Sequence, residues 1–341
     1  MTETKKTKNS NITTYFSMFS GIGGFELGIS KATNNSWECI GHSEINKYAN
    51  QIYDRHFRGV KNYGDATKII PDELPNFDML CGGFPCQAFS IAGKRKGFED
   101  TRGTLFFDIA RIAAVKKPKI IFLENVKGLL NHDKGNTFAK ILSTLDELGY
   151  DVEWNVLNSK NFGVPQNRER VFIIGHLRGT GGRKVFSIGE GCKKIFNTMA
   201  KKPIIIGTTK SNTAKGTNSR SWVHDIKGII GAVNSTEYKQ PKQIMVQALR
   251  NFSRNGRLSH KDGYVGSIQT SGNEEGIWQG DRIRRLTPKE CERLQGFPDD
   301  WTEYGKINDN QWERISDAQR YKCLGNAVTV NVIEYVARLI K

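Results

Sequence analysis

Between residues 12 and 180 the apolar positions fall into short β-branched and aromatic runs, with stretches of helical spacing between several of them. The run Ile12-Thr-Thr-Tyr-Phe-Ser-Met-Phe19 predicts a first strand. It breaks at Gly21, Gly23 and Gly24, and a helix is expected from Phe25 onward. Trp37-Glu-Cys-Ile-Gly-His42, Phe77-Asp-Met-Leu-Cys81 and Lys119-Ile-Ile-Phe-Leu123 read as further strands, and Arg170-Val-Phe-Ile-Ile-Gly175 as a later one. Leu105 to Lys116 and Phe138 to Leu148 have the periodicity of helices set between strands. Strand and helix alternating in this way predict an α/β fold on a parallel sheet. Beyond about residue 180 Gly, Ser, Thr and Asn become frequent, and the apolar runs shorten, which predicts a separate, less regular domain. Helical spacing returns at Thr287-Pro-Lys-Glu290, where Thr287 is placed as N-cap, Pro288 at the first position and Glu290 as the second half of a capping box. Asn331 to Ile340 predicts a final amphipathic helix.

Composition narrows the class. The chain of 341 residues is 37% apolar with 18 Phe and 6 Trp, enough for one large core and a smaller domain. No apolar run approaches the roughly 20 residues of a membrane span. The polar start, residues 1–11, has no apolar segment of a signal peptide and is expected to be a disordered tail. Cys39, Cys81, Cys86, Cys192, Cys291 and Cys323 form no Cys-x-x-Cys pair, so neither a zinc site nor a disulfide framework is expected, and a reducing cytosol fits. The formal charge of +16 is uneven: residues 181 to 280 hold 16 Lys and Arg against 6 Asp and Glu, a net of +10. Such a segment suits a polyanion, nucleic acid above all, although a merely basic, soluble surface has the same composition.

Four motifs carry chemistry. Phe19-Ser-Gly-Ile-Gly-Gly24 follows a strand and opens a helix, where glycine lets the backbone turn tightly and approach a ligand. Glu44 follows the second strand, placed to accept from ribose hydroxyls, and Asp65 in Tyr63-Gly-Asp65 is placed for an adenine amino group. Either acid alone would pass for a solvated carboxylate. Gly82-Gly-Phe-Pro-Cys-Gln-Ala-Phe-Ser90 sets Cys86 in a proline-fixed turn at a strand end, a setting that favours a reactive thiol over a buried one. The basic, glycine-rich stretch after it, residues 91–103, reads as a loop able to close on phosphates. Glu124-Asn-Val126 ends the strongly apolar fourth strand, so its carboxyl faces the crevice of an open sheet. In Gln166-Asn-Arg-Glu-Arg170 the two arginines alternate with Glu169 and so share one face.

Together these motifs resemble, in order and over nearly the whole chain, the DNA (cytosine-5)-methyltransferase family in its short bacterial restriction-modification form. Arg284-Arg-Leu-Thr-Pro-Lys-Glu-Cys-Glu-Arg-Leu-Gln-Gly-Phe-Pro298 and Gln319-Arg-Tyr-Lys-Cys-Leu-Gly-Asn-Ala-Val328 are similar to its late motifs. The resemblance implies a Rossmann-like S-adenosylmethionine-dependent methyltransferase sheet with a second, smaller, irregular target-recognition domain. The boundaries it implies are 12–190 for the catalytic and cofactor-binding domain, 191–300 for the target-recognition domain and hinge, and 301–341 for a return to the catalytic domain. Cys86 is then the nucleophile at carbon 6 of cytosine, and Glu124 holds its N3 and N4 edge. Arg170 and Arg168 bind O2 or a neighbouring phosphate. Phe19 stacks on the donor's adenine, Gly21 and Gly23 give close backbone approach, Glu44 and Asp65 bind ribose and adenine, and Asn326 belongs to the late motif beside the glycine turn. No metal is implied.

The implied partner is double-stranded DNA, read after the target base has been flipped from the stack. Ser90, Ala92, Lys94 and Arg95 lie in the loop after the nucleophile, and Arg220, Arg250, Arg254 and Arg257 in the recognition region are suited to guanine edges or to phosphate. Two positions depart from the family pattern. Ser267-Ile268 stands where many members carry Thr and an aliphatic residue, and Ala92 stands where serine is frequent. A monomer in the bacterial cytoplasm, associated with the nucleoid through DNA, is expected. No membrane partner is implied, and a cognate restriction endonuclease would act without a stable complex. A tRNA cytosine-5 methyltransferase of the related branch would share the catalytic motifs, but the long basic recognition region argues against it. The intact catalytic set argues against a non-catalytic DNA-binding relative, and a nicotinamide dehydrogenase gives no reason for Pro-Cys-Gln.

Overall fold

The computed structural model describes residues 13–85, 105–181, 184–186 and 286–341 in full, and five short strands between 205 and 285 by their backbone. Its centre is a six-stranded sheet in the order β2-β1-β3-β4-β7-β5. These are β1 (Thr13–Met18), β2 (Trp37–Ser43), β3 (Met79–Gly83), β4 (Ile120–Val126), β5 (Tyr150–Asn158) and β7 (Glu169–Leu177), with the two-residue β6 (Gln166–Asn167) just before the last. β1 to β4 are parallel. In β3 and β4, at the centre, side chains alternate between two dry faces, so these strands are buried along most of their length. Phe16, Met18, Leu80, Ile121 and Leu123 pack under α3 (Leu105–Lys116) and α4 (Asn136–Glu147). Tyr15, Met79, Cys81 and Phe122 pack under α1 (Gly24–Thr33) and the last helix.

The sheet departs from the all-parallel expectation at one side. β7 runs antiparallel to both β4 and β5. β5 itself, a half-polar strand, was not among the expected elements. Only the segment 159–168 separates β5 from β7. That is short of the dozen or more residues that a crossover to a parallel neighbour takes, so the chain turns back on itself.

The tail forms α5 (Pro288–Gln295), a hairpin of β13 (Tyr304–Asn308) and β14 (Gln311–Arg314), α6 (Asp317–Asn326) and α7 (Val330–Ile340). The Thr287–Glu290 capping box forms as expected. α7 lies on α1 so closely that a Cβ on Gly28 would stand 2.6 Å from Ile333 Cβ, and one on Gly24 2.7 Å from Val328. Residues 286–300, grouped by composition with the recognition region and hinge, pack in one cluster with Ile22, Ala49 and Ile52. By length and hydropathy Asp317–Ile340 would pass for a membrane span, but it is two helices of this body and 61% of that window is buried in it.

The tail's antechamber, the region of β8 (Ile205–Thr208), β9 (Trp222–Asp225), β10 (Ile230–Gly231), β11 (Gln243–Met245) and β12 (Ile283–Arg285), is described only by its strand pairing. Four of these make a sheet β12-β11-β9-β8, and β10 pairs with β6. The 1–11 tail lies outside the described residues.

A carboxyl group, Glu26, is buried in the first turn of α1 with 1% exposure. Tyr53 Oη donates to it at 3.1 Å. Burial raises its pKa to about 7, with the neighbouring Ser17 and Tyr53 hydroxyls acting in the opposite direction. Unfolded, the group ionises near 4.5. Between those values the unfolded chain loses a proton that the folded chain keeps, so stability is full below 4.5 and falls by about 3 kcal/mol as pH rises through 7. Urea unfolding of Glu26→Gln at pH 4.5 and pH 8 should therefore show the variant gaining on the parent at the higher pH; an equal difference at both would place an ionised Glu26 in the core.

Candidate active site at the strand ends

β1 to β4 all run toward one edge, and the motif residues collect there. Phe19 follows β1 in a left-handed conformation (φ 54°), as do Gly21 (φ 58°) and Gly23 (φ 84°) in the same turn. Gly21 N donates to Glu44 Oε2 at 2.9 Å, and Asn46 N donates to Glu44 Oε1 at 2.7 Å. Glu44 thus joins the glycine turn to the start of α2 (Lys47–His56). Ser20 Oγ and His42 Nδ1 are 2.8 Å apart beneath the turn, and burial lowers the His42 pKa to about 4. A Cβ on Gly21 would meet nothing within 4 Å, so the backbone there is open to an approaching molecule. Asp65 caps the short helix Ala66–Lys68 by accepting from Thr67 N and Thr67 Oγ1, and those bonds hold its pKa below the usual carboxylate range. An open backbone turn beside the Glu44 carboxylate fits a cationic nucleoside such as S-adenosylmethionine.

The second group sits at the ends of β3, β4 and β7. Gly83 pairs with Glu124 across β3 and β4, and a side chain at 83 would press within 3.1 Å of Glu124 Oε2. Glu124 is 7% exposed. Arg170 Nε stands 3.0 Å from its Oε1, an ion pair without the alignment of a hydrogen bond. Burial raises the Glu124 pKa, and the charges of Arg170 and Arg168 oppose that rise. Burial and the two cations thus act on this carboxyl group in opposite directions, with burial the larger.

Arg168 and Arg170 share one face, as their alternation with Glu169 predicts, yet they are engaged differently. Arg168 is 3% exposed, and its Nη2 donates to Gly325 O at 3.2 Å and Ala327 O at 2.8 Å. Burial, then repulsion from Arg170, lowers its pKa to about 9. Arg170 forms the ion pair with Glu124.

Sequence reasoning gave no role to Asn125. Its Nδ2 donates to Phe84 O at 2.9 Å, which ties the end of β4 to the turn that leads into Cys86. The only signal was a buried amide in an apolar strand, which must find a partner. Gln166 and Gln295 were likewise missed: Gln166 Nε2 donates to Leu294 O at 2.7 Å and Gln295 Nε2 to Leu324 O at 2.8 Å. Asn326 is exposed at the end of α6, and Val328 just after it packs against Gly24 of the glycine turn.

Cys86, Ser90, Ala92, Lys94, Arg95, Arg220, Arg250, Arg254 and Arg257, with Ser267-Ile268, lie outside the described residues. Among the described residues no three His, Cys, Asp or Glu side chains gather as a metal site.

Replacing Arg168 by Met should remove its donor from the Gly325 carbonyl and leave the Ala327 carbonyl only the longer bond from Gln295 Nε2 at 3.4 Å. The expected loss is about 3 kcal/mol of unfolding free energy, read by urea titration. Arg170→Met, at the rim, should cost less, and the reverse order would contradict this division of the two arginines.

Comparison with known proteins gives a consistent picture. Residues 13–341 match the family described as C-5 cytosine-specific DNA methylase. The type II methyltransferase M.HhaI of Haemophilus parahaemolyticus is 36% identical over 331 residues, covering 95% of this chain and 92% of that protein. M.HpaII of Haemophilus parainfluenzae is 40% identical over 346 residues, with 96% and 88% covered. Among solved structures, the S. pombe Dnmt2 methyltransferase superposes with a TM-score of 0.66 at 18% identity, covering 96% of this chain and 98% of its own. The Entamoeba histolytica methyltransferase EhMeth gives a TM-score of 0.62 at 18% identity, with 96% and 97% covered. At that identity the two structures speak for the fold.

Proposed function

The chain belongs to the C-5 cytosine-specific DNA methylase family, and on that premise we propose that Cys86, Glu124 and Arg170 methylate a cytosine flipped out of duplex DNA. The enzyme is a DNA (cytosine-5-)-methyltransferase of the bacterial type II kind. The observation that carries the residue assignment is the register at the strand ends. Gly83 lies opposite Glu124, Asn125 holds the carbonyl of Phe84, and Cys86 follows two residues later. The turn that leads into Cys86 is thus tied to the strand end that carries the buried Glu124–Arg170 pair.

The chemistry follows from the ring. Carbon 5 of cytosine is a poor nucleophile until a thiolate adds at carbon 6. Cys86 forms that bond, and Glu124 holds the N3 and N4 edge and favours protonation at N3. Arg170 stabilises the charge that builds at O2, and Arg168 supports the same pocket from behind. S-adenosylmethionine supplies the methyl cation equivalent when bound. The glycine turn, Phe19, Glu44 and Asp65 hold the donor, with the segment around Asn326 packed beside them. Loss of the carbon 5 proton and departure of the Cys86 thiolate then give 5-methylcytosine.

A ring inside the duplex cannot reach such a crevice, so the base is flipped. The region 191–300 is the target-recognition domain and hinge, its last stretch from Leu286 being the hinge part packed on the catalytic body, with Arg220, Arg250, Arg254 and Arg257 as base or phosphate contacts and Ser90, Ala92, Lys94 and Arg95 in the loop that closes on the DNA. The net charge of +10 between 181 and 280 supports that division. The chain acts as a monomer on chromosomal DNA, and a cognate restriction endonuclease, where one accompanies it, acts without a stable complex.

Cys86→Ala should abolish methyl transfer to duplex DNA and leave duplex binding in place, whereas Cys81→Ala, in the core of β3, should remain active. Turnover by the first variant, measured with tritiated donor, would remove Cys86 from the mechanism. Duplex binding should also fall with salt: neutralising about five phosphates gives a log–log slope of about −4 to −5. A flat dependence would turn the basic region away from DNA.

A further inference from the structure

We infer that Trp301 is a positioning residue for the donor site, acting through the carbonyl of Ile22; this rests on the glycine turn being where the donor binds. Trp301 Nε1 donates to Ile22 O at 2.9 Å across 279 residues of chain. Both residues are buried, at 7% and 1% exposure. Ile22 is the centre of the turn Phe19–Gly24, and its carbonyl precedes the N-cap Gly23, so it takes no part in the bonding of α1. The turn's own bonds are few: Ser20 N to Ser43 O, Gly23 N to Ser20 O, and Gly21 N to Glu44. Three left-handed residues, Phe19, Gly21 and Gly23, leave its peptides able to rotate unless each is tied. Trp301 ties the one between Ile22 and Gly23.

Trp301 is itself fixed on every side. The His56 ring lies parallel to it at 3.5 Å, and His56 Nε2 donates to Trp301 O at 2.8 Å. Burial lowers the His56 pKa to about 4, so this ring is neutral at neutral pH. Phe297 stands 5.4 Å away and Phe57 6.0 Å away. Phe57 also occupies the place where a side chain on Gly23 would go, 2.2 Å from a Cβ there. The backbone on both sides is pinned by the buried Glu292, which accepts from Asp300 N at 2.7 Å and Thr302 N at 2.8 Å and pairs with Arg320 at 3.2 Å. The tail thus builds a rigid aromatic floor under the turn and sets one of its carbonyls by a directed bond.

The test is Trp301→Phe, which keeps an aromatic ring and removes the N–H, with Trp312→Phe on the exposed hairpin as control. Calorimetric titration of S-adenosylmethionine should show about tenfold weaker binding for Trp301→Phe and unchanged binding for the control. Hydrogen exchange of the ligand-free protein should quicken at Gly21 and Gly23 while β3 and β4 stay protected. Duplex affinity should hold. Normal donor binding by a folded Trp301→Phe, or exchange quickened throughout the sheet, would overturn the inference. If Phe does not fold at 301, 3-benzothienylalanine there keeps the bicyclic shape without the donor, and the same two readouts decide. Failure of the unaltered protein to bind S-adenosylmethionine would instead strike at the donor reading, and exchange at Gly21 and Gly23 would still judge Trp301.

Discussion

A carboxyl group buried at the end of a central strand is a costly element of this fold, and much of the structure follows from having to accommodate it. Glu124 is tolerable because two guanidinium groups face it. Arg168, deeper than Arg170, is a buried cation in its own right and needs acceptors. It finds them in the carbonyls of Gly325 and Ala327, on the tail. The tail must then be held at the right height. Gln295 does so through Leu324 O and Thr329, Thr329 meets Ser159, and Gln166 closes the seam on Leu294 O. Each polar group satisfies the previous one, so the crevice and the packing of the last helices form one cooperative unit.

This seam explains why the glycine turn and the catalytic crevice are neighbours. α7 covers α1 because Gly24 and Gly28 let it approach, and Val328 reaches both Gly24 and Gly83. One side chain of the tail therefore touches the turn assigned to the donor and the strand end assigned to the nucleophile. The distance between the two reactants is set by packing from a third segment, which neither motif contains.

What the sequence made legible was local. The glycine turn, the capping box at Thr287 and the polar ends of apolar strands are determined by a few adjacent residues, and they are where the motifs placed them. What escaped was set at a distance. β5 carries Asp151, Glu153 and Asn155 because it is the edge of the sheet, and such a strand lacks the apolar run that marked the others. The direction of β7 depends on the length of the connection before it, not on its own residues. Arg168 and Arg170 look alike in the chain, and only the carbonyls 157 and 159 residues later distinguish them. Asn125 and Trp301 have partners 41 and 279 residues away, which no spacing rule reports.

The return of the tail also bears on how the protein is made. Chains are synthesised from the N-terminus at about 5–20 residues per second, so the sheet strands emerge several seconds before residues 286–341 do. During that interval Arg168 has no carbonyls to meet and Ile22 no indole, and the crevice is incomplete although every residue assigned to its chemistry has already left the ribosome. A polypeptide cut before Ala327 holds the nucleophile's motif but not the frame that aims it. Synthesis of the catalytic motifs and completion of their frame are thereby separate events in time.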